Sequence, residues 1–456
     1  MTDGSTATAS PRVSYLALAL AVAALATVSN EFGQVVLSRL SSLEDAPAAP
    51  AMAASGLFAL CSFASFYATR GTALPSFVAA IALGIAGRTL FAPIVDDREM
   101  LTAIVTASAA IVLFGGGLEM PLRDFVRLFV KIALLAGPGV ILTGFALSQA
   151  AQAVAPAMGA AMTPAAAILL GAILASTDPA AIVPLLQPLK FKRRAAKDIV
   201  IAESALNDVV GAMLTTAFLK LPLAGLGVAA AYGALWAPAN YRFLAEQAGY
   251  GALFGIAGFA ALRILSRIKR KHAAPYGADQ VYFLATPVIV FAAASAFGGS
   301  GFLAAFIAGL CFHVEEHMAG IERFFHHVVD GVAKPAIFLL LGAMVDLHAL
   351  ISYAPAGIAI ALVFVAVLRP AMVLLMLGPY ALFPKSSRGL SLNEIAFVSF
   401  IRETGAIPAV LLVTAVARAP APVDGLVEIG MWTILVTLTF APPLTPYLAR
   451  RFGLAQ

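Results

Sequence analysis

The stretch Glu203-Ser204-Ala205-Leu206-Asn207-Asp208 places two carboxylates, a hydroxyl and an amide in the middle of an apolar run that is long enough to span a membrane. A carboxylate in hydrocarbon is costly, so chains seldom keep two on one helix unless the carboxylates have a task. Upstream, Ser176-Thr177-Asp178-Pro179 repeats this pattern inside another apolar run. Two acidic clusters on neighbouring helices indicate a site for a small cation that competes with protons.

The composition identifies lipid as the solvent of this chain. Of the 456 residues, 61% are hydrophobic and 12% are charged, and the mean hydropathy is +0.93. Soluble domains carry about a quarter charged residues. These values predict an all-α polytopic membrane protein of about 13–14 transmembrane helices. Apolar segments of spanning length lie at roughly 14–31, 52–69, 74–93, 101–119, 127–152, 164–187, 198–220, 248–266, 280–297, 299–314, 334–350, 354–383, 391–417 and 426–448.

The cysteines and the net charge argue against other classes of protein. Cys61 and Cys311 lie in or at the edge of apolar runs, and two cysteines are too few for a disulfide framework or a metal site. The net charge of +5 is explained by lysines and arginines retained in cytoplasmic loops. We therefore expect no nucleic-acid partner and no cofactor.

The loop charges orient the chain. Counted from a cytoplasmic N-terminus, the inside loops hold most of the lysines and arginines, including those of 190–197 and the pair Arg450-Arg451. This alternation predicts an even number of spans with both termini in the cytoplasm. We expect an extra N-terminal helix and loop at 1–50, a membrane domain at 51–448 and a short cytoplasmic tail at 449–456. The first segment also fits a signal peptide, but it shows no clear cleavage site, which favours a retained helix.

Two apolar segments are interrupted at corresponding places in the two halves of the chain. The segment 164–187 is broken by Thr177-Asp178-Pro179, and the segment 391–417 is broken by Gly405-Ala406-Ile407-Pro408. Proline removes a backbone donor, and the freed polar groups survive at membrane depth only beside a cavity or a partner. Such a pair of broken helices predicts a transporter built from inverted repeats, with its site at the breaks.

Asp208 is the central candidate of this site. Burial in a low dielectric favours the neutral form of a carboxyl group, so the group can exchange a proton for a cation near physiological pH. Ser204 lies four residues earlier and shares a helix face with Asp208. Asp178 and a backbone carbonyl at Thr177 would add the oxygen ligands that Na⁺ and similar hard cations prefer. A purely structural hydrogen-bond network is the alternative interpretation of the same residues.

Glu203 requires a different role, because it begins the motif and faces away from Asp208. A second buried carboxylate is tolerated when a cation neutralises it. Arg369, inside the apolar segment 354–383, is the first candidate for this partner, and Arg402, just before the second break, is the other. For both arginines the alternative is a position at a helix end, with the charged head snorkelling to the interface.

These motifs resemble those of the monovalent cation/proton antiporter superfamily, nearest its sodium/proton exchanger (NhaP-type) branch. The resemblance is carried by Glu203-Ser204-x-x-Asn207-Asp208 together with the upstream Thr177-Asp178-Pro179. Three glycine-rich stretches, at 81–87, 113–119 and 301–310, agree with it. The resemblance extends over nearly everything from residue 55 to residue 448.

The resemblance implies the sodium/proton antiporter fold, with dimerisation and ion-transporting helical bundles, two broken crossing helices, elevator-like alternating access and a homodimer. Carried over position by position, it makes Asp208 the carboxylate that binds both ion and proton. It also implies that Asp178, Ser204 and the Thr177 carbonyl are co-ligands of the transported Na⁺. Glu203 and Arg369 would form a structural ion pair.

Two positions qualify the resemblance. Asn207 stands where electrogenic relatives have a second aspartate, which favours one-for-one, electroneutral exchange. The family usually has a glycine directly after the second arginine, whereas this chain has Arg402-Glu403-Thr404 before Gly405. Arg402 and Glu403 are therefore expected to tune ion choice or pH response.

A histidine-rich segment at 313–327 is a further polar feature. Histidines titrate near neutral pH, so a cytoplasmic cluster would suit a pH sensor. The spacing is not that of a zinc protease helix, which needs a glutamate directly after the first histidine. We predict a polar loop helix on the cytoplasmic face, ahead of the apolar segment 334–350.

The sequence therefore predicts a proton-coupled antiporter for Na⁺ or Li⁺ in a bacterial-type inner membrane, with a role in pH homeostasis. A potassium/proton antiporter is the nearest alternative, since carboxylates and hydroxyls alone do not determine cation size. A cation channel is disfavoured by the absence of a carbonyl-filter or acidic-ring pattern. An intramembrane enzyme is disfavoured because no Gly-x-Ser-x-Gly or His-Glu-x-x-His motif is present.

Overall fold

The structure is a computed structural model that describes residues 11–42, 46, 48–69, 72, 74–177, 186, 189–271, 277–382, 389–401 and 404–455. These residues form helices and connecting turns, and the one β-bridge among them joins Phe191 to Ala455. The α-helices are α1 (Pro11–Thr27), α2 (Gly33–Ser41), α3 (Ala49–Thr69), α4 (Ser76–Ala86), α5 (Arg88–Val95), α6 (Arg98–Leu118), α7 (Leu122–Leu134), α8 (Val140–Ala157), α9 (Pro164–Leu174), α10 (Ala195–Leu219), α11 (Val228–Ala234), α12 (Pro238–Lys271), α13 (Gly277–Ala296), α14 (Gly301–Cys311), α15 (Ala319–Val328), α16 (Lys334–Ala343), α17 (Leu347–Ser352), α18 (Ala354–Val363), α19 (Arg369–Leu377), α20 (Leu392–Phe400), α21 (Ala406–Arg418) and α22 (Leu426–Arg451).

The helices account for all the predicted apolar segments. Among the described residues, nine helices are long and apolar enough to cross a membrane, and two bent pairs raise the number to eleven. Three shorter apolar helices, α9, α14 and α21, lie in the remaining predicted segments. Several spans consist of two consecutive α-helices joined by a π-helical turn. Examples of such turns are Leu135–Gly139 and Phe364–Leu368. The chain is an integral membrane protein.

The chain divides into two compact units. Unit 1 comprises Met1–Ser108 and His327–Leu347, and unit 2 comprises Ala109–His326 and His348–Gln456. Unit 2 contains α10, which carries the acidic hexapeptide, together with the helices that surround it.

In unit 1, α4 and α16 pack backbone to backbone. A side chain at Gly84 would meet the carbonyl oxygen of Leu339, and a side chain at Gly342 would meet the carbonyl oxygen of Ile81. Small residues at such positions let two apolar helices approach closely, which is how helices associate in lipid. The glycine-rich stretch 81–87 is therefore a helix-packing element.

The predicted apolar segment 74–93 consists of two helices, because α4 and α5 are bent by 91° at Gly87. Gly87 leaves helical geometry, with φ −93° and ψ 10°, and a Cβ there would collide with the ring of Phe91. The backbone N–H of Thr89, freed at the bend, donates to Ser29 Oγ at 3.2 Å. The N-terminal helical segment Tyr15–Ser41, which contains Ser29, therefore satisfies a backbone donor at the start of α5.

The predicted loop helix at 313–327 also differs from the structure. Its residues form the first part of a rod over Glu316–Ala343, in which the π turn Val329–Ala333 joins α15 to α16. The rod begins as an amphipathic helix that buries Ile321 and Phe325. In the sequence, the many polar residues of this segment are typical of a helix in a loop. In the structure, its apolar face continues into the apolar residues of α16, so the two helices form one continuous segment.

Candidate functional site

The acidic hexapeptide lies in the interior of unit 2. Glu203, Ser204, Asn207 and Asp208 are each no more than 3% exposed. Their helix, α10, packs against α7, α9, α14, α20 and α21. Polar groups at this depth need partners within the protein, because burial without hydrogen bonds or charge compensation is costly.

Asn207 connects α10 to the first helix break. α9 ends at Leu174, and Ser176 and Thr177 are not helical. The backbone N–H of Thr177 donates to Asn207 Oδ1 at 2.9 Å, and Asn207 Nδ2 donates to Thr177 Oγ1 at 2.5 Å. One side-chain amide thus satisfies the backbone donor and the hydroxyl that the break leaves in the interior.

Glu203 and Arg369 form a buried ion pair with two hydrogen bonds. Arg369 Nη1 donates to Glu203 Oε1 at 3.1 Å, and Nη2 donates to Oε2 at 2.9 Å. The side chains are 2% and 3% exposed for Glu203 and Arg369, respectively, which excludes snorkelling of Arg369. Arg369 is the first residue of α19 and directly follows the π turn Phe364–Leu368.

The ion pair and the break belong to one hydrogen-bonded network. Asn207 Nδ2 donates to Glu203 Oε1 at 2.8 Å as well as to Thr177, and Thr177 Oγ1 donates to Ser204 Oγ at 3.2 Å. Because both hydrogens of its amide are used in this way, Asn207 positions its neighbours. Asp208 lies one helical turn beyond Ser204 on the same face of α10. The network therefore holds the Asp208 face of α10 beside the first break.

A glycine on α10 allows this close approach. A Cβ at Gly211 would lie 2.8 Å from Cβ of Ser176, closer than side chains tolerate. Gly211 is thus the contact at which α10 packs directly against the start of the first break.

The second break has a similar arrangement. α20 ends at Phe400, α21 begins at Ala406, and the backbone at Thr404 is not helical. The backbone N–H of Thr404 donates to Thr437 Oγ1 on α22 at 3.2 Å. Here too a side chain from a later helix satisfies a backbone donor freed by the break. The sequence did not identify this pair, although the spacing of Thr433 and Thr437 does place two hydroxyls on one face of an otherwise apolar span.

The two broken helices pack against each other and run in opposite directions. Thr163, the N-cap of α9, donates through Oγ1 to the carbonyl oxygen of Pro422, beyond the end of α21, at 3.1 Å. From this shared end, α9 rises about 16 Å and α21 about 20 Å. The C-terminal end of α9 and the N-terminal end of α21 thus lie at similar depth. The negative end of the α9 dipole favours a cation at this level.

Three predicted site residues, Asp178, Arg402 and Glu403, lie outside the described residues. In the part of the chain that the structure describes, no group of three or more His, Cys, Asp or Glu side chains could hold a metal ion. The oxygen atoms gathered at the breaks come from hydroxyls and single carboxylates instead.

Together, fold and site define a class of protein: a polytopic helical membrane protein in which two broken helices flank a helix with buried carboxylates. The particular family follows from the sequence profile described as "Sodium/hydrogen exchanger, transmembrane", which matches residues 56–450. The chain belongs to this sodium/hydrogen exchanger family, as its motifs predicted.

Comparison with individual proteins agrees with this assignment. The chain is 30% identical over 321 residues to the K(+)/H(+) antiporter NhaP of Alkalimonas amylolytica, covering 69% of this chain and 51% of that protein. It is 26% identical over 323 residues to the K(+)/H(+) antiporter NhaP2 of Shewanella oneidensis, covering 70% and 52%. The chain therefore spans about half the length of the curated relatives it matches.

The fold is also found among solved structures. The sodium proton antiporter MjNhaP1 from Methanocaldococcus jannaschii matches with a TM-score of 0.65 at 20% identity, covering 86% of this chain and 99% of that chain. The predicted sodium/proton antiporter fold is confirmed.

Proposed function

We propose that the chain is a secondary active transporter that exchanges a monovalent cation for H⁺ by alternating access. The observation that carries this proposal is the buried Ser204 and Asp208 face of α10, held beside a helix break by the hydrogen bonds between Asn207 and Thr177. A carboxylate and hydroxyls at unwound backbone form a suitable oxygen site for a hard cation. Membership of the exchanger family supports the same function.

In this mechanism Asp208 binds either the cation or the proton. Ser204, Asp178 and the Thr177 carbonyl complete the oxygen set, and Arg402 and Glu403 tune it. Both the protonated and the cation-bound forms of Asp208 are close to neutral, so each can move between inward-open and outward-open states. The empty, charged carboxylate is held back by the cost of burying it, which couples the two ion flows.

Glu203 and Arg369 form a structural ion pair in this scheme. Their two hydrogen bonds neutralise both charges and hold α10 beside α19. Asn207 is an amide and carries no proton through the cycle. One titrating carboxylate therefore exchanges one proton for one cation, and the exchange is electroneutral.

Na⁺ or Li⁺ is the proposed cation, and K⁺ is the second candidate. K⁺ is favoured by the names of two relatives, which are K(+)/H(+) antiporters. We further propose a homodimer in contact with membrane lipid, an inner-membrane location with both termini in the cytoplasm, and transport without enzymatic activity. The transporter would serve pH homeostasis.

Proton flux in proteoliposomes tests the function. Vesicles holding a preset pH gradient are challenged in turn with Na⁺, Li⁺, K⁺ and choline, using the wild type and Asp208→Asn. We expect one or more alkali cations to collapse the gradient in the wild type, choline to leave it intact, and Asp208→Asn to be inactive yet folded.

Asp198→Asn is the matched control, because Asp198 lies on the same helix, near its start, and contacts Arg127 at 3.7 Å. This variant should retain exchange. Full exchange by Asp208→Asn would contradict the assignment of Asp208, and a wild type indifferent to all alkali cations would contradict antiport. A steady current on a solid-supported membrane during exchange would contradict electroneutrality.

A further inference from the structure

The hydroxyl of Thr404, at the second helix break, is buried and has no hydrogen-bond partner among the residues that the structure describes. Thr404 is 0% exposed, and its Oγ1 is without a partner in the structure as described. Buried hydroxyls in folded proteins are nearly always bonded, and an exception calls for an explanation such as a bound ion or a functional role. Leaving this hydroxyl unsatisfied costs stability.

The local backbone explains why Thr404 differs from the other buried threonines nearby. Thr414 and Thr433 are helical, and each donates its hydroxyl to the carbonyl oxygen four residues earlier, at 2.8 Å and 3.0 Å. Thr404 precedes Gly405 in non-helical backbone, where that carbonyl is not within reach. Its backbone N–H is held by Thr437 Oγ1, so the residue is fixed in place while its side-chain oxygen stays available.

The first break provides the comparison. Thr177 has its backbone N–H bound by Asn207, and its hydroxyl bonds with Asn207 and Ser204. Each break thus presents a buried threonine whose backbone N–H is bound by a later helix. At the first break the hydroxyl belongs to the network around the candidate site, whereas at the second break the Thr404 hydroxyl has no partner within the described part of the chain.

The packing of unit 2 brings together the helices that end or begin at the two breaks. α21 contacts both α9 and α10, and α9 runs antiparallel to α21 from the hydrogen bond between Thr163 and Pro422. The break ends of the two helices therefore lie at similar depth, next to the helix that carries Ser204.

We propose that the Thr404 hydroxyl oxygen is a ligand of the transported cation and helps determine which alkali cation is exchanged. This inference rests on the proposed function of cation/proton exchange. Thr404, which lies just before α21, would add a neutral oxygen ligand to the oxygen ligands that α10 supplies. The distance between the two sets depends on the cation's radius, so a ligand fixed by Thr437 favours one size of cation over another.

Three full-length variants test this role. Thr404→Val keeps the shape of the side chain and removes its oxygen, and Thr404→Ser keeps the oxygen. Thr433→Val is the matched control, because Thr433 is also 0% exposed and its hydroxyl is satisfied within its own helix. Each protein is assayed for the KM of Na⁺, Li⁺ and K⁺ in proteoliposomes, and for the rise in Tm that each cation causes in detergent.

We expect Thr404→Val to raise the KM of the preferred cation about tenfold, the effect of losing about one ligand contact, and to reduce the Tm rise that this cation causes. Thr404→Ser should restore affinity and alter the order of preference among the three cations. Thr433→Val should leave the KM values unchanged. Without cation, Thr404→Val should melt no lower than the wild type, because it removes an unbonded hydroxyl.

Each contrary outcome identifies what has failed. Wild-type exchange with unchanged KM values and cation order in Thr404→Val would overturn the role of Thr404 and leave the proposed function intact. A cation-free Tm of Thr404→Val well below the wild type would assign the hydroxyl a structural bond and overturn the inference. A wild type that neither exchanges nor is stabilised by alkali cations would overturn both proposals.

Discussion

Arg369 donates two hydrogen bonds to Glu203 across 166 positions of sequence, at a place where neither side chain is more than 3% exposed. Two opposite charges in the interior of a membrane protein are tolerated only together. Because Asn207 also donates to Glu203, the ion pair supports the same amide that binds the first helix break. The carboxylate of Glu203 is thus part of the frame that positions Asp208.

Glu203→Ala is expected to destabilise the protein by about 3–5 kcal/mol, because it leaves the buried Arg369 uncompensated. The measurement is the Tm of the purified protein in detergent. The double variant Glu203→Leu with Arg369→Met should recover most of the loss, since it removes both charges and keeps apolar volume.

Arg88→Ala is the control for this comparison. Arg88 pairs with Asp346 at 3.0 Å, but these side chains are 51% and 53% exposed, so the pair should contribute about 0–1 kcal/mol. If Glu203→Ala were no more destabilising than Arg88→Ala, the structural role of the buried pair would be refuted.

Asn207→Asp should also be destabilising, by about 2 kcal/mol or more. An ionised carboxylate cannot donate to Thr177 or Glu203 and would lie beside the Glu203 carboxylate. A protonated carboxyl can still donate one hydrogen bond, so the loss relative to the wild type should grow as pH rises. Thermal unfolding at several pH values measures this trend.

Asn240→Asp provides the comparison for Asn207→Asp. Asn240 is half-buried and donates to one backbone carbonyl, that of Ala234 at 2.7 Å. Its loss should be smaller and should not depend on a neighbouring carboxylate. A pH-independent loss in Asn207→Asp would count against the contact with Glu203.

The sequence could predict some of these relationships because buried charges are rare. Glu203 needed a cation, and only Arg369 and Arg402 were placed to supply it, so the candidates were few. Threonines in apolar helices are common and cost little when they bond their own backbone, as Thr433 does. Nothing in the sequence therefore distinguished Thr404 or linked it to Thr437, 33 positions away.

For the helices, the sequence likewise predicts one property, the position of the spans, and misses another, the bend at Gly87. Apolar length located the spans, because any helix in lipid must be about that long. At the 91° bend between α4 and α5, the N–H of Thr89 donates to Ser29 Oγ, a residue 60 positions earlier in the chain. That tertiary contact is not encoded by local hydropathy, so hydropathy located the segment 74–93 but gave no sign of the bend within it.

Gly211→Ala should reduce exchange severalfold and cost about 1–3 kcal/mol of stability, because its methyl group would press against Ser176 and move α10 away from the first break. Gly116→Ala is the matched substitution, since the nearest atom to its new methyl group is Cβ of Ala205 at an ordinary 3.8 Å. It should gain up to about 1 kcal/mol from reduced backbone entropy and keep full exchange. Equal behaviour of the two variants in both assays would exclude a tight contact at Gly211.

Glu394 connects the start of α20 to the loop that precedes α10. Its side chain is 2% exposed, and Oε2 accepts hydrogen bonds from the Ser391 N–H at 2.7 Å and from Arg193 Nη1 at 3.2 Å. Arg193 Nη2 also donates to the carbonyl oxygen of Gly389 at 3.0 Å. The elements that lead to the acidic hexapeptide and to the second break are therefore joined at this contact.

Glu394→Ala should cost about 2–4 kcal/mol, because it removes both the N-cap partner of α20 and the acceptor for Arg193. Arg193→Ala should cost less, about 1–2 kcal/mol, since Arg193 is 44% exposed and Glu394 keeps its bonds to Ser391.

Arg242→Ala, which removes a pair with Glu246 on the surface of α12, should have no measurable effect on Tm. If Arg193→Ala behaved like Arg242→Ala, the contact would be a surface ion pair without structural effect. The expected order instead requires the buried Glu394 carboxylate to be stabilised by Arg193, so that this contact holds the start of α20 against the start of α10.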